Sequence, residues 1–204
     1  MSERNEFGAN ESFVGKIVNV DEELSEEKEL VQRAENDMLT GVLNKKTMEK
    51  RVSLMLKNRG DKYVIFYMVD LDNFKNVNDT LGHIYGDQAI VETAQCLNKV
   101  FANQDCIGRL GGDEFAVCVS YQAFDEQGLL EFIGKKAQEI CAGNRRTYTD
   151  NASSVSITSS IGVAYAPDMG DSFTELYTQA DCALYYSKAN GKDQYHIYSP
   201  KDDN

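Results

Sequence analysis

The sequence predicts an α+β fold: a palm-like, antiparallel-rich sheet with a β-α-β-β-α-β core, flanked by helices. Three observations predict it. Tyr63–Val69 is a run of seven consecutive apolar residues, as a strand covered on both faces requires. Apolar stripes at helical spacing recur between the strand-like segments. The pair Gly111-Gly112 separates two short strand-like runs, and adjacent glycines accept positive φ at both central positions of a tight hairpin. A hairpin inside such an alternation argues against an all-parallel sheet.

Taken in order, residues 1–36 stand apart. They hold ten acidic and four basic residues. Phe13 to Val20 reads as a short strand, and Asp21 to Glu35 as an acidic helical connector that needs a partner helix for stability. The second region, 37–204, carries the fold. Met48, Val52, Met55 and Leu56 mark a helix with Asn44 as its N-cap and Gly60 closing it. The strand Tyr63–Val69 follows, then a helix through Ile90, Ala94, Leu97 and Phe101. The hairpin strands are Cys106–Leu110 and Phe115–Ser120. Leu129, Ile133, Ala137 and Ile140 mark a third helix. Val155, Ile157, Ile161, Val163 and Tyr165 fall on one face of a long strand. Ser172-x-x-Glu175 is a capping box that opens a last helix through Phe173, Leu176, Ala180 and Leu184, ending at Gly191. Tyr195–Tyr198 is a final strand.

Composition narrows the function. With 204 residues the chain suits one domain and an appendage. The formal charge of −12 opposes nonspecific nucleic-acid binding, which depends on Lys and Arg neutralising phosphates. An acidic chain can still bind a nucleotide where a metal ion supplies positive charge. No apolar run approaches the roughly 20 residues of a membrane-spanning helix. The start, MSERNEFGAN, lacks a secretory layout. A cytoplasmic location is expected, with Cys96, Cys106, Cys118, Cys141 and Cys182 as buried thiols in a reducing compartment.

Two acidic sites stand out. Asp70 lies where the buried strand ends, followed by Leu71 and Asp72, and Asp113-Glu114 follow the glycine turn. A strand-end carboxylate beside a hairpin-tip carboxylate can present oxygen to Mg²⁺, which keeps waters and completes its shell with substrate phosphates. The alternative is that Asp70 caps a turn and the hairpin acids are solvated. Lys75, Lys188 and Lys192 can bind phosphate as point charges, or the last two can complement a helix dipole. Asn78 and Asp87 can read guanine, whose N1–H and N2–H₂ are donors and O6 an acceptor. Asp87 can equally N-cap a helix starting at Gln88. His83 and His196 have no metal-ligand spacing.

The run Arg109-Leu-Gly-Gly-Asp-Glu-Phe115 resembles the signature of the GGDEF family of diguanylate cyclases. Asp37-Met-Leu-Thr-Gly-Val-Leu-Asn44, Val69-Asp-Leu-Asp-Asn-Phe-Lys75 with Asn78-Asp79, Leu81-Gly-His with Gly86-Asp87, and Ala180 to Lys192 resemble its other motifs in order. The likeness covers about 168 residues. It implies that a homodimer condenses two GTP into cyclic di-GMP, using two Mg²⁺ (or Mn²⁺) ions per GTP. By position, Asp70, Asp113 and the Leu71 carbonyl would hold metal, and Glu114 would assist with metal or proton. Asn78 and Asp87 would read the base. Backbone amides of the Leu71–Phe74 loop, with Lys75, Lys188 and Lys192, would hold phosphates, and Phe74, Gly111 and Gly112 would bind substrate. Residues 1–36 weakly resemble the end of a PAS sensor domain running into a signalling helix, which implies an upstream sensor; the alternative is a disordered acidic tail.

Three positions depart from the family pattern. Its product-inhibition Arg-x-x-Asp falls on Ala102-Asn-Gln-Asp105, so Asp105 stands without the arginine and feedback inhibition should be weak. Lys192 replaces an arginine, keeping charge but losing the bidentate fork. Met38 replaces a proline, which should alter only a local turn. The rival reading is a catalytically silent, GTP-binding regulatory module.

Overall fold

A computed structural model describes residue 30, residues 32–101 and residues 106–203. Chain contacts divide the protein into two units, Met1–Ala34 and Glu35–Asn204. Of the first, residues 30 and 32–34 are helical; the expected strand at 13–20 and most of the acidic connector lie outside the described residues. The second unit is a mixed α+β fold, as the sequence predicts. Its strands are β1 (Leu43–Asn44), β2 (Tyr63–Asp72), β3 (Cys106–Gly111), β4 (Glu114–Tyr121), β5 (Arg146–Thr149), β6 (Ser154–Ala166) and β7 (Tyr195–Ile197). Its helices are α1 (Lys45–Lys57), α2 (Phe74–Leu81), α3 (His83–Val100), α4 (Glu126–Asn144) and α5 (Phe173–Ala189), and a 3₁₀ turn spans Pro200–Asp203.

The sheet runs β1-β3-β4-β2-β6-β5, with β7 also on β6. At its centre β2 pairs antiparallel with β4 and with β6. Alternation sends the two halves of β2 to opposite layers. Ile65, Tyr67 and Val69 pack with Ile90, Ala94 and Leu97 of α3 and Leu129, Ile133, Ala137 and Ile140 of α4. Val64, Phe66 and Met68 pack with Met48, Val52 and Leu56 of α1 and Leu176, Ala180 and Leu184 of α5. A strand sandwiched in this way has no polar face until its end, which accounts for the unbroken apolar run.

Local chemistry fixes the boundaries. The Asn44 side chain accepts from the Thr47 amide at 3.0 Å and caps α1. That helix ends at Lys57 with Asn58 as C-cap, so Gly60 sits in the turn beyond it at φ 57°. The capping box at Ser172 and Glu175 forms as expected, and Gly191 follows the α5 C-cap Asn190 at φ 115°. The face of β6 carrying Val155 to Tyr165 divides between two clusters: Val155 and Ile157 join Leu71, Val77, Ala89 and Tyr148, while Ile161, Val163 and Tyr165 join the main core. Cys96, Cys106, Cys118 and Cys141 are buried and Cys182 is half-buried. No helix among the described residues is long and apolar enough to cross a membrane.

Several expectations are corrected. Strand β2 continues through Asp72, so Asp70 lies two residues inside its end, and the expected Leu71–Phe74 loop reduces to Asn73. That residue turns the chain at φ 62°, and Phe74 already opens α2. The hairpin pairs Gly111 with Glu114, so the turn centres on Gly112-Asp113 rather than on the two glycines; Gly111 closes β3 at φ 151°. Helix α3 begins at His83, which places Asp87 in its second turn and removes the capping role. The final strand stops at Ile197. Strands β1 and β5 and helix α2 are too short to leave a periodic signal.

Candidate active site

The site lies at the end of β2 where it meets the β3–β4 hairpin. Asp70 and Glu114 are direct cross-strand partners, and the Leu71 amide donates to the Asp113 carbonyl at 3.4 Å. Direct partners in an antiparallel pair share a sheet face, and like charges placed so are unfavourable. Asp70 is buried, and Lys188 in the last turn of α5 reaches its Oδ2 at 2.8 Å. The Asp70 carboxyl is pushed up to about 6: burial raises it most, the Lys188 hydrogen bond and charge oppose that rise, and the charges of Asp113 and Glu114 add to it. The ends of two strands thus gather three carboxylates against one ammonium group, and Lys188 is a partner of Asp70 rather than only a dipole complement.

Excess negative charge of this kind suits a divalent cation. Among the described residues, no three acidic, histidine or cysteine side chains form a cage that could hold a metal. Mg²⁺ does not require one, since it is commonly held by one or two carboxylates with water and substrate phosphates. Asp70 and Asp113 fit that donor set.

Two of the phosphate candidates, Lys75 and Lys192, meet at the start of α2. Asn73 makes no side-chain cap bond to that helix; its Oδ1 instead accepts from Lys192 Nζ at 3.0 Å. First-turn amides without a side-chain cap favour an anion. Lys75 is exposed in that first turn, and Phe74 is half-buried against the core. Gly111 and Gly112 are exposed at the hairpin.

Asn78 in the last turn of α2 faces α3. A Cβ on Gly86 would collide with the Asn78 side-chain amide, so the absence of a side chain there makes room for it. Asp87, next in sequence and exposed, follows on the same helix. The structure therefore brings Asn78 alongside the segment that carries Asp87, through the turn at Gly82, whose φ is 89°. Ala102 and Asp105 lie outside the described residues.

Two further contributors carry little signal in the sequence. Arg109 donates through Nε and Nη2 to the Gly112 carbonyl at 2.9 and 2.6 Å, and through Nη1 to both oxygens of Asp37 at 3.2 and 3.3 Å. Nothing in spacing links residues 72 apart. Asn73 is the other, and its only advance signal is the tolerance of asparagine for left-handed backbone.

The model of the family described as diguanylate cyclase, GGDEF domain, matches residues 34–194. The chain is 29% identical over 204 residues to the cyclic di-GMP phosphodiesterase PdeR of Escherichia coli, covering 97% of this chain and 30% of that protein. It is 33% identical over 174 residues to the bifunctional diguanylate cyclase/cyclic di-GMP phosphodiesterase MucR of Pseudomonas aeruginosa, covering 84% of this chain and 24% of that one. The chain thus spans less than a third of the length of either relative. Among solved structures, the coiled coil and GGDEF domain of DgcB from Caulobacter crescentus, in complex with c-di-GMP, superposes with a TM-score of 0.76 at 28% identity, covering 87% of this chain and 93% of that one.

Proposed function

The chain belongs to the GGDEF domain family of diguanylate cyclases, and from that membership we propose that it condenses two GTP molecules into one cyclic di-GMP with release of two pyrophosphates. The observation that carries this reading is the cross-strand pairing of Asp70 with Glu114 at the hairpin that bears Asp113, beside Lys188. Each 3′-oxygen forms a bond to the α-phosphorus of the partner GTP as the bond to the bridging oxygen of pyrophosphate breaks. The hydroxyl proton passes to a carboxylate of the Asp113-Glu114 pair. Asp70, Asp113 and the Leu71 carbonyl would hold two Mg²⁺ or Mn²⁺ ions per GTP, which supply charge neutralisation at the phosphates and favour ionisation of the hydroxyl.

The chain's own residues do the rest. Amides at the start of α2, with Lys75, Lys188 and Lys192, hold the phosphates. Asn78 and Asp87 read guanine; the Asp87 carboxylate would meet only an acceptor at N1 of adenine, an unmade bond that discriminates by about 1–3 kcal/mol. Each domain binds one GTP, so two half-sites must face one another in a homodimer, which replaces a bimolecular encounter by a high effective concentration. Residues 1–36 would connect an upstream sensor to this domain and set that dimer. Ala102 stands where the family's product-inhibition motif has an arginine, so feedback by product is weak.

One observation favours a second reading, a catalytically silent GTP-binding module: the relative PdeR carries a phosphodiesterase name. Incubating purified protein with GTP and Mg²⁺, with and without a fused leucine zipper, and resolving products by mass spectrometry separates the two. Cyclic di-GMP in either sample establishes the cyclase. GTP bound without product in both establishes the silent module.

A further inference from the structure

The second carboxylate at the end of β2, Asp72, is only 3% exposed and has no part in the reading above. Its Oδ1 accepts from Ser160 Oγ at 2.7 Å, and its Oδ2 from Thr158 Oγ1 at 2.6 Å and from the Asp193 amide at 3.1 Å. A carboxylate offers about four acceptor positions, so three bonds within the chain leave Asp72 poorly suited to ligate a cation, although it lies on the same strand face as Asp70.

The third of those bonds reaches an unusual turn. Gly191, Lys192 and Asp193 follow α5 with successive φ values of 115°, 63° and 48°. Left-handed backbone is rare at residues with side chains, and two in sequence persist only where the surroundings hold them. Asp72 takes the Asp193 amide, and Arg145 holds the Asp193 carboxylate at 2.7 Å. The Lys192 amide donates to the Ser187 carbonyl at 3.1 Å. Held in this way, the turn directs Lys192 Nζ to Asn73, immediately ahead of α2.

We propose that Asp72 is a positioning residue, which anchors the 191–193 turn to the sheet and thereby sets Lys192 at the phosphate-binding start of α2. The inference rests on the reading of Lys192 as a phosphate contact. It divides the two aspartates of one strand face: Asp70 meets Lys188, whereas the bonds of Asp72 are taken up inside the chain and it acts through a lysine 120 positions away.

A double-mutant cycle on the full chain tests it, reading affinity for a non-reacting methylene analogue of GTP by calorimetry in Mg²⁺. Asp72→Leu, close in shape but without acceptors, and Lys192→Ala should each weaken binding about tenfold, and the double variant should bind no more weakly than Lys192→Ala alone. The Asp72→Leu loss should persist in full in a Lys188→Ala background. Asp72→Asn keeps an acceptor for the turn and should restore most of the affinity, and hydrogen exchange at the Asp193 amide should rise in Asp72→Leu. Equal losses from Asp72→Leu with and without Lys192 would overturn the proposal, as would no loss at all. If Lys192→Ala alone binds like the parent, the phosphate reading fails and takes the proposal with it. If Lys192→Ala weakens binding and Asp72→Leu does not, only the positioning role fails. Should Asp72→Leu not fold, Asp72→Asn carries the same cycle with a smaller expected loss.

Discussion

Arg109 and Asp37 meet across 72 positions of sequence, with Nη1 3.2 Å from one carboxylate oxygen and 3.3 Å from the other. The same guanidinium holds the carbonyl of Gly112. One planar group therefore fastens the turn that bears Asp113 to the first residues of the domain, and Thr40 adds its amide and hydroxyl to Asp37. Burial works to raise the Asp37 carboxyl, but the bonds from Thr40 and the charge of Arg109 outweigh it and hold the group below the usual carboxylate range.

Replacing Arg109 by alanine should therefore cost about 1.5–3 kcal/mol, the range for hydrogen bonds to a charged group. A carboxylate lowered by folding adds stability above its unfolded value, near 4, and loses it as pH falls through the folded value. The gap between parent and variant in urea denaturation should be full at pH 7 and shrink below about pH 4. A gap that stays constant down to pH 2 would show that the pair contributes nothing through charge.

Asp70 has the opposite sign. Its folded value of about 6 lies above the unfolded one, so the folded domain keeps a proton that the unfolded chain releases. Stability without metal should fall as pH rises from about 4 to 6, by about 1–3 kcal/mol. Asp70→Asn lacks this dependence and should be the more stable protein at pH 7.5 in a chelator, even after losing the Lys188 ion pair, while its product formation is abolished. Thermal denaturation of both proteins at pH 4.5 and 7.5 measures the difference, and a difference independent of pH would count against the burial argument.

The sequence made much of this legible because its strongest signals are physical ones. The buried run at Tyr63, the stripes of α1, α3, α4 and α5, the cap at Asn44 and the box at Ser172 all follow from periodicity and side-chain reach. Asp70, Asp113 and Glu114 stood out by their place at a strand end and a hairpin. What stayed hidden was of two kinds. Helix α2 and strand β5 span eight and four residues, too few for a period to repeat. The partnerships of Arg109 with Asp37, Lys188 with Asp70 and Asp72 with Asp193 depend on which elements the sheet brings together, and no local pattern encodes them.

Gly86 offers a separation of binding from folding. A methyl group there would meet the amide end of Asn78, a flexible side chain that can swing away. Within a helix, glycine to alanine is otherwise worth up to about 1 kcal/mol in favour of alanine. Gly86→Ala should thus match or exceed the parent in melting temperature and yet bind GTP about 5- to 30-fold more weakly, the equivalent of about 1–2 kcal/mol for one lost base contact. Binding of ATP should change less. Equal losses for both nucleotides would remove Asn78 from base reading.

The same substitution at Gly162 should have the reverse outcome, and the reason is what the added carbon would strike. On β6, opposite α5, it would meet the Ala180 carbonyl oxygen and the Leu184 amide nitrogen, with the Leu184 Cα at 2.9 Å. These are backbone atoms of a helix, so no rotamer change relieves the contact and α5 must lift from the sheet. Ser187, whose hydroxyl donates to the Ile161 carbonyl at 2.8 Å, would be drawn away with it. Overpacking of this kind costs at least about 1–3 kcal/mol. Because α5 carries Lys188 to Asp70, the damage should extend from stability to turnover. Gly162→Ala should lower the urea midpoint and the rate of product formation together, whereas Gly86→Ala weakens GTP binding alone. A Gly162→Ala protein with parental stability would mean that α5 has room to move off β6 without cost.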